Sequence, residues 1–153
     1  MDLILWRHAE AIEAPDPNDD LERALTPKGE RQAQRMAAWL NRQLPSSARV
    51  LVSPARRAQQ TAAALDRKLR TQPALAPEGS VEGLLHAVRW PEAREPVLVV
   101  GHQPTLGLVA AYLLSGQGLA WSVRKGGVWW LRGRQREGTL QVVLHAAVSP
   151  EMV

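Results

Sequence analysis

The 153-residue chain has no cysteine, no phenylalanine and a single tyrosine. Without thiols it can build no disulfide framework, no thiolate zinc or iron–sulfur site and no cysteine nucleophile. Any chemistry must therefore run on imidazole, hydroxyl, carboxylate, guanidinium or amine groups. Lysine is scarce as well: of the 19 basic residues all but Lys28, Lys68 and Lys125 are arginine. The planar guanidinium fork suits carboxylates and phosphates, although an arginine excess can also merely reflect base composition. Long apolar runs are missing too. The run Leu3 to Trp6 gives way at once to Arg7 and His8, far short of a signal-peptide core. The stretch Leu106 to Leu114, interrupted by Gly107, is too short to span a bilayer. A cytoplasmic protein with no membrane partner is expected.

The composition is that of an ordinary globular protein, 45% apolar and 22% charged, far from the regime of disordered chains. At this length the expectation is a single domain over residues 1–153. The net charge of +4 is modest. Arg132, Arg134 and Arg136 read as a cation cluster at a turn tip, but no nucleic-acid-binding motif or interleaved aromatics accompany them, so no nucleic-acid partner is expected.

Three short runs, Leu3–Trp6, Val50–Val52 and Val97–Val100, are apolar without alternation, as strands buried on both faces of a parallel sheet are. Helix-start signals follow each. Thr26-Pro27 opens a helix to about Gln43 with Ala33, Met36, Ala37 and Leu40 in one stripe. Ser53-Pro54 opens another to about Leu69, with Ala58, Thr61, Ala62 and Leu65 inward. A shorter helix starts at Ser80, and a fourth follows His102 with Pro104 in its first turn. Gly127–Leu131 and Leu140–Ala146 flank a turn rich in Arg and Gly, which predicts an antiparallel hairpin. There, Trp129 and Trp130 should face opposite ways, one into the core and one outside. The pattern predicts a three-layer α/β/α fold with a mainly parallel central sheet and a C-terminal antiparallel hairpin.

Arg7-His8, Ser53-Pro54 with Arg57, and Gly101-His102 all fall at the carboxyl ends of predicted parallel strands, the edge where open α/β sheets bind ligands. Two arginines and two histidines would meet there without a neutralising carboxylate, and the natural occupant is a dianion such as phosphate. No histidine spacing suits a metal, and no G-x-S-x-G elbow or Walker A loop is present. His86 and His145 fall within a predicted helix and strand and read as structural.

The same residues carry a family resemblance. Arg7-His8-Ala9-Glu10 resembles the RHG-type signature of the histidine phosphatase (phosphoglycerate mutase-like) superfamily, with Ala9 in place of the usual glycine. Ser53-Pro54-Ala55-Arg56-Arg57-Ala58-Gln59-Gln60-Thr61-Ala62 is similar to its S-P-x-x-R-A-x-Q-T-A motif, and Val100-Gly101-His102-Gln103-Pro104 to the segment bearing its second histidine. Leu25-Thr26-Pro27-Lys28-Gly29 and Arg124-Lys125-Gly126-Gly127 are similar to segments of the short SixA-type phosphohistidine phosphatases. The resemblance implies the phosphoglycerate mutase-like fold, His8 as a transiently phosphorylated nucleophile, Arg7 and Arg57 as phosphate clamps, and His102 as the histidine that stabilises the transferring phosphoryl. It implies no cofactor and no metal.

Many members carry a mid-chain glutamate that protonates the leaving oxygen. Here only Glu78 and Glu82 lie near that region, neither in a convincing motif, and Glu82 is taken as the candidate general acid. An acidic loop, Glu10 to Glu22, supplies other carboxylates. An alkoxide leaving group needs such a proton, whereas an imidazole nitrogen titrates near neutrality and leaves readily once protonated. Weak acid equipment, and a length that leaves no room for a large lid, favour phosphohistidine displayed on a protein. A small phosphorylated metabolite is the alternative substrate, and a non-catalytic phosphate- or nucleic-acid-binding module the alternative from outside enzymology.

Overall fold

A computed structural model describes residues 1–153. The strands are β1 (Asp2–Arg7), β2 (Arg49–Val52), β3 (Arg70–Thr71), β4 (Val97–Gly101), β5 (Val128–Arg136) and β6 (Thr139–Val148), and the helices α1 (Pro27–Gln43), α2 (Arg56–Ala63), α3 (Val81–Ala87) and α4 (Thr105–Ser115). The sheet order is β3-β2-β4-β1-β5-β6. The first four are mutually parallel, while β5 runs antiparallel to both β1 and β6.

The three non-alternating runs are buried on both faces because helices cover both. Ile4, Trp6, Val50, Val52, Leu98 and Val100 face α1 and α2, where the stripe Met36, Ala37 and Leu40 meets Ala58 and Ala62. Leu3, Leu5, Leu51, Val97 and Val99 face Leu84 of α3, Val88 just past its end, and Leu106, Val109 and Ala110 of α4. Each such aliphatic side chain contributes about 1.5–3 kcal/mol on burial. Helix α1 forms where its signals predict: Pro27 occupies the first position and the Thr26 side chain accepts a hydrogen bond from the Gly29 N–H.

Four expectations are corrected. Helix α2 is shorter than predicted, because Ser53 does not cap it and the chain leaves the helix before Asp66, which has φ +53°. The downstream segment instead yields the two-residue strand β3. Helix α4 begins at Thr105, with Pro104 preceding its first turn. In the hairpin, Trp130 packs against the α1/α2 core, but Trp129 is not outside: it packs against the opposite core, its ring centroid 6.0 Å from that of Trp121. Finally, Arg132 is no turn-tip cation. The strands run on to a tight turn at Glu137-Gly138, and Arg132 lies within β5, donating from Nε and Nη2 to the two carboxylate oxygens of Asp2 at 3.0 and 3.1 Å.

Candidate active site

Sheet register brings the site together. Arg7 is the partner of Gly101 across β1 and β4, so the next residues, His8 and His102, leave adjacent strands at the same edge. Their ring centroids are 5.2 Å apart. Ser53 leaves β2 beside them, its N–H donating to the Val100 carbonyl at 3.0 Å.

His8 is almost wholly buried. Its Nδ1 lies 2.7 Å from the Ala9 carbonyl oxygen. A carbonyl only accepts, so Nδ1 carries the proton and Nε2 keeps its lone pair. Around it, the Ala9 N–H donates to Thr61 Oγ1 at 3.0 Å, and that hydroxyl donates to the Arg57 carbonyl at 2.7 Å. One threonine thus ties the loop carrying His8 to the helix carrying Arg57.

Arg7 donates from Nη1 to the Val123 carbonyl at 3.0 Å. The Gly126 N–H, in turn, donates to the carbonyls of both Arg7 and His8 at 3.1 Å, and the Trp6 indole N–H donates to the Gly126 carbonyl at 3.0 Å. Arg57 is 4% exposed. It donates from Nη1 to the Asp20 carbonyl at 2.7 Å and from Nη2 to the Asp20 carboxylate at 3.2 Å. Arg23 holds the other oxygen of that carboxylate at 3.3 Å. In His102, Nε2 lies 2.7 Å from Ser53 Oγ, which also accepts from the Ala55 N–H at 3.1 Å.

Three buried side-chain polar atoms in the protein have no hydrogen-bond partner: Arg7 Nε, Arg57 Nε and His102 Nδ1. A buried polar group left unpaired is costly, so such groups are rare in native proteins. Here the orphans all belong to residues gathered around His8. Burial lowers the His8 pKa to about 4; the Ala9 hydrogen bond opposes it more strongly than any single arginine adds to it, and the positive fields of Arg57, Arg7 and Arg23 lower it further. Burial, then the neighbouring His8 and Arg57, lowers that of His102 to about 3. Both rings are therefore neutral at pH 7. The arrangement offers an unprotonated imidazole nitrogen beside guanidinium and imidazole groups with hydrogen-bonding capacity to spare, which is suited to a tetrahedral oxyanion. Nowhere do three His, Asp or Glu side chains converge as a metal site would need.

All of Arg7, His8, Arg57 and His102 are gathered by the fold, whereas Glu82 and Glu78 are exposed, and Glu82 sits in the first turn of α3 with no ion pair. Sequence reasoning missed Ser53 as the partner of His102, Thr61 as the tie between motifs, and the Asp20–Arg23 pair. Asp20 lies in the acidic loop noted above, but its grip on Arg57 joins residues 37 apart, and nothing in the loop composition signals that. The arginines hold the Asp20 carboxyl below its usual range, against the upward push of its burial.

These features define a class. A family model for the histidine phosphatase superfamily (branch 1) matches residues 3–78. SixA, the phosphohistidine phosphatase of Escherichia coli K12, is 36% identical over 126 residues, 76% of each chain. A protein of Picosynechococcus is 37% identical over 140 residues, 86% of this chain and 85% of its own. The chain belongs to the histidine phosphatase superfamily and is a phosphatase. The solved structure of the protein histidine phosphatase SixA complexed with tungstate superposes with a TM-score of 0.79 at 27% identity, covering 98% of this chain and 97% of that one. The fold is the phosphoglycerate mutase-like one. No helix is long and apolar enough to cross a membrane.

Proposed function

We propose that the protein removes phosphoryl groups from phosphohistidine on proteins through a covalent phospho-His8 intermediate, without a metal, the whole of residues 1–153 acting as one catalytic unit. The observation that carries this reading is the set of unpaired buried nitrogens, the donors Arg7 Nε and Arg57 Nε together with His102 Nδ1, beside a neutral His8. The Nε2 lone pair of His8 attacks phosphorus in line as the bond to the substrate imidazole breaks; the departing nitrogen keeps that electron pair, and the proton already on the other nitrogen of the substrate ring lets it leave as neutral imidazole. Water then attacks phosphorus, the bond to Nε2 breaks, and phosphate leaves with His8 restored. Arg7 and Arg57 neutralise the equatorial oxygens. His102 pairs with Ser53 through Nε2 and turns Nδ1 to the phosphoryl group; a dianion beside it favours its imidazolium, in which both ring nitrogens donate, Nε2 to Ser53 Oγ and Nδ1 to the phosphoryl oxygen.

Two features support a phosphoramidate over an ester. Glu82 is exposed, and Asp20 is held ionised by Arg57 and Arg23, so neither is poised to protonate an alkoxide. The SixA relative is a phosphohistidine phosphatase, and tungstate bound to SixA is a tetrahedral dianion like phosphate. Incubation with a radiolabelled phosphohistidine protein should leave acid-labile label on the wild type. His8→Ala should lose the label and at least about 1,000-fold in turnover. Undiminished turnover in that variant refutes the nucleophile, faster turnover of a panel of phosphate esters refutes the substrate class, and a need for added divalent cation after EDTA refutes metal independence.

A further inference from the structure

Helix α1 begins in an electrostatically unfavourable way. Lys28, Arg31 and Arg35 are exposed along its first nine residues; Lys28 lies in the first turn, where the helix dipole disfavours cations, and the spacing of the three sets like charges side by side. With Gln32 they share one face. Glu30 projects from the far side, about 160° from Lys28 at 100° per residue. None of the three cations forms an ion pair. They border a cleft of about 320 Å³ closed by Pro150 and Glu151, beside which Arg124 and Lys125 are also exposed on the turn before β5. Glu151 is the one carboxylate lining that cleft, and the fields of Lys28 and Arg124 both act on it.

This basic rim is wired to the catalytic edge. Gly126, next to Lys125, donates to the carbonyls of Arg7 and His8, and Gln32 Oε1 accepts from the Glu10 N–H at 2.9 Å. The other flank of the site has the opposite sign: Asp20 grips Arg57, and Glu13, Asp16, Asp19 and Glu22 of the same loop are exposed. A nucleic-acid backbone following the basic rim across the site would meet that acidic wall. A folded or peptide partner with localised negative charge need not.

We propose that Lys28, Arg31, Arg35, Arg124 and Lys125 form a docking rim for an acidic face of the phosphoprotein substrate, engaged while the phosphorylated side chain enters the His8 site. The proposal rests on the reading that the substrate is a phosphohistidine protein. Its probes are two peptides of equal length bearing one chemically phosphorylated histidine, flanked by glutamates in one and by lysines in the other. At low salt the acidic peptide should be turned over with kcat/KM about 10-fold above the basic one, the difference lying in KM, and the preference should shrink on raising the ionic strength. A triple variant, Arg31→Glu with Arg35→Glu and Lys125→Glu, should lose or reverse the preference. It should still hydrolyse para-nitrophenyl phosphate at the wild-type rate, which reports intact folding. Equal use of both peptides by the wild type, or a preference that survives in the triple variant, overturns the docking rim. Should neither phosphohistidine peptide be hydrolysed, the substrate reading fails, and the same flanks around phosphoserine then test the rim: acidic preference supports it and its absence overturns it.

Discussion

Arg56 and Arg57 are adjacent and chemically identical, yet the first is exposed and the second is buried with its guanidinium on Asp20. A helix turns about 100° per residue, so one of two neighbours enters the crevice and the other leaves it. Arg57→Ala should therefore lower kcat/KM by about 100-fold or more, while Arg56→Ala should change it less than about 3-fold. Steady-state kinetics on one substrate compares them, and equal losses would contradict the assigned helix phase. Of the five residues singled out by sequence, Arg7, His8, Arg57 and His102 gather at the crevice because strand ends and motif spacing are local properties of the chain, while Glu82 lies exposed on α3. Ser53, Thr61 and Asp20 were not legible at that level. Their roles come from contacts with His102, Ala9 and Arg57, 49, 52 and 37 residues away.

Among the elements, α4 and the segment that follows it illustrate how backbone contact positions a side chain. A Cβ on Gly107 would overlap the Trp121 carbonyl oxygen, which also accepts a hydrogen bond from Gln103 Nε2 at 2.9 Å. Two residues on, the Val123 carbonyl holds Arg7. Gly107→Ala should push this segment off the helix, costing about 1–3 kcal/mol as an overpacking substitution and loosening Arg7. A lowered Tm together with a raised KM is the expected pair of readouts, and a wild-type KM would mean that Arg7 does not depend on this packing. Gly29 plays a similar part at the other end of the site, where α1 lies against the Glu10 backbone too closely for a side chain. In sequence, Gly107 is only an interruption of an apolar run, and Gly29 merely part of a motif.

At the scale of the whole molecule, the buried histidines couple the site to stability. His8 and His102 titrate at about 4 and about 3 in the folded protein, against 6.5 in the unfolded chain. Between pH 6.5 and about 4 the unfolded state therefore binds more protons, and stability falls as pH falls, by up to about 1.4 kcal/mol per pH unit for each ring. The slope flattens once the folded rings also protonate. Urea unfolding at pH 7 and pH 5 should show this loss, with a smaller loss in His102→Gln. Equal stability at the two pH values would show that these rings are not held neutral.

The sequence by itself determined the class of the fold and which of its residues leave the strands at the crevice. Non-alternating apolar runs require a sheet covered on both faces, and the motif residues follow those runs directly. The tertiary structure alone decided where β1 lies in the sheet, between β4 and β5, and hence that His8 and His102 stand side by side. It alone packed Trp129 against a second core, gave Arg132 its carboxylate, ended α2 early and closed Asp20 over Arg57. The physical reason is range: periodicity and capping act within a few residues, while strand pairing, packing and charge partners are selected across the folded chain.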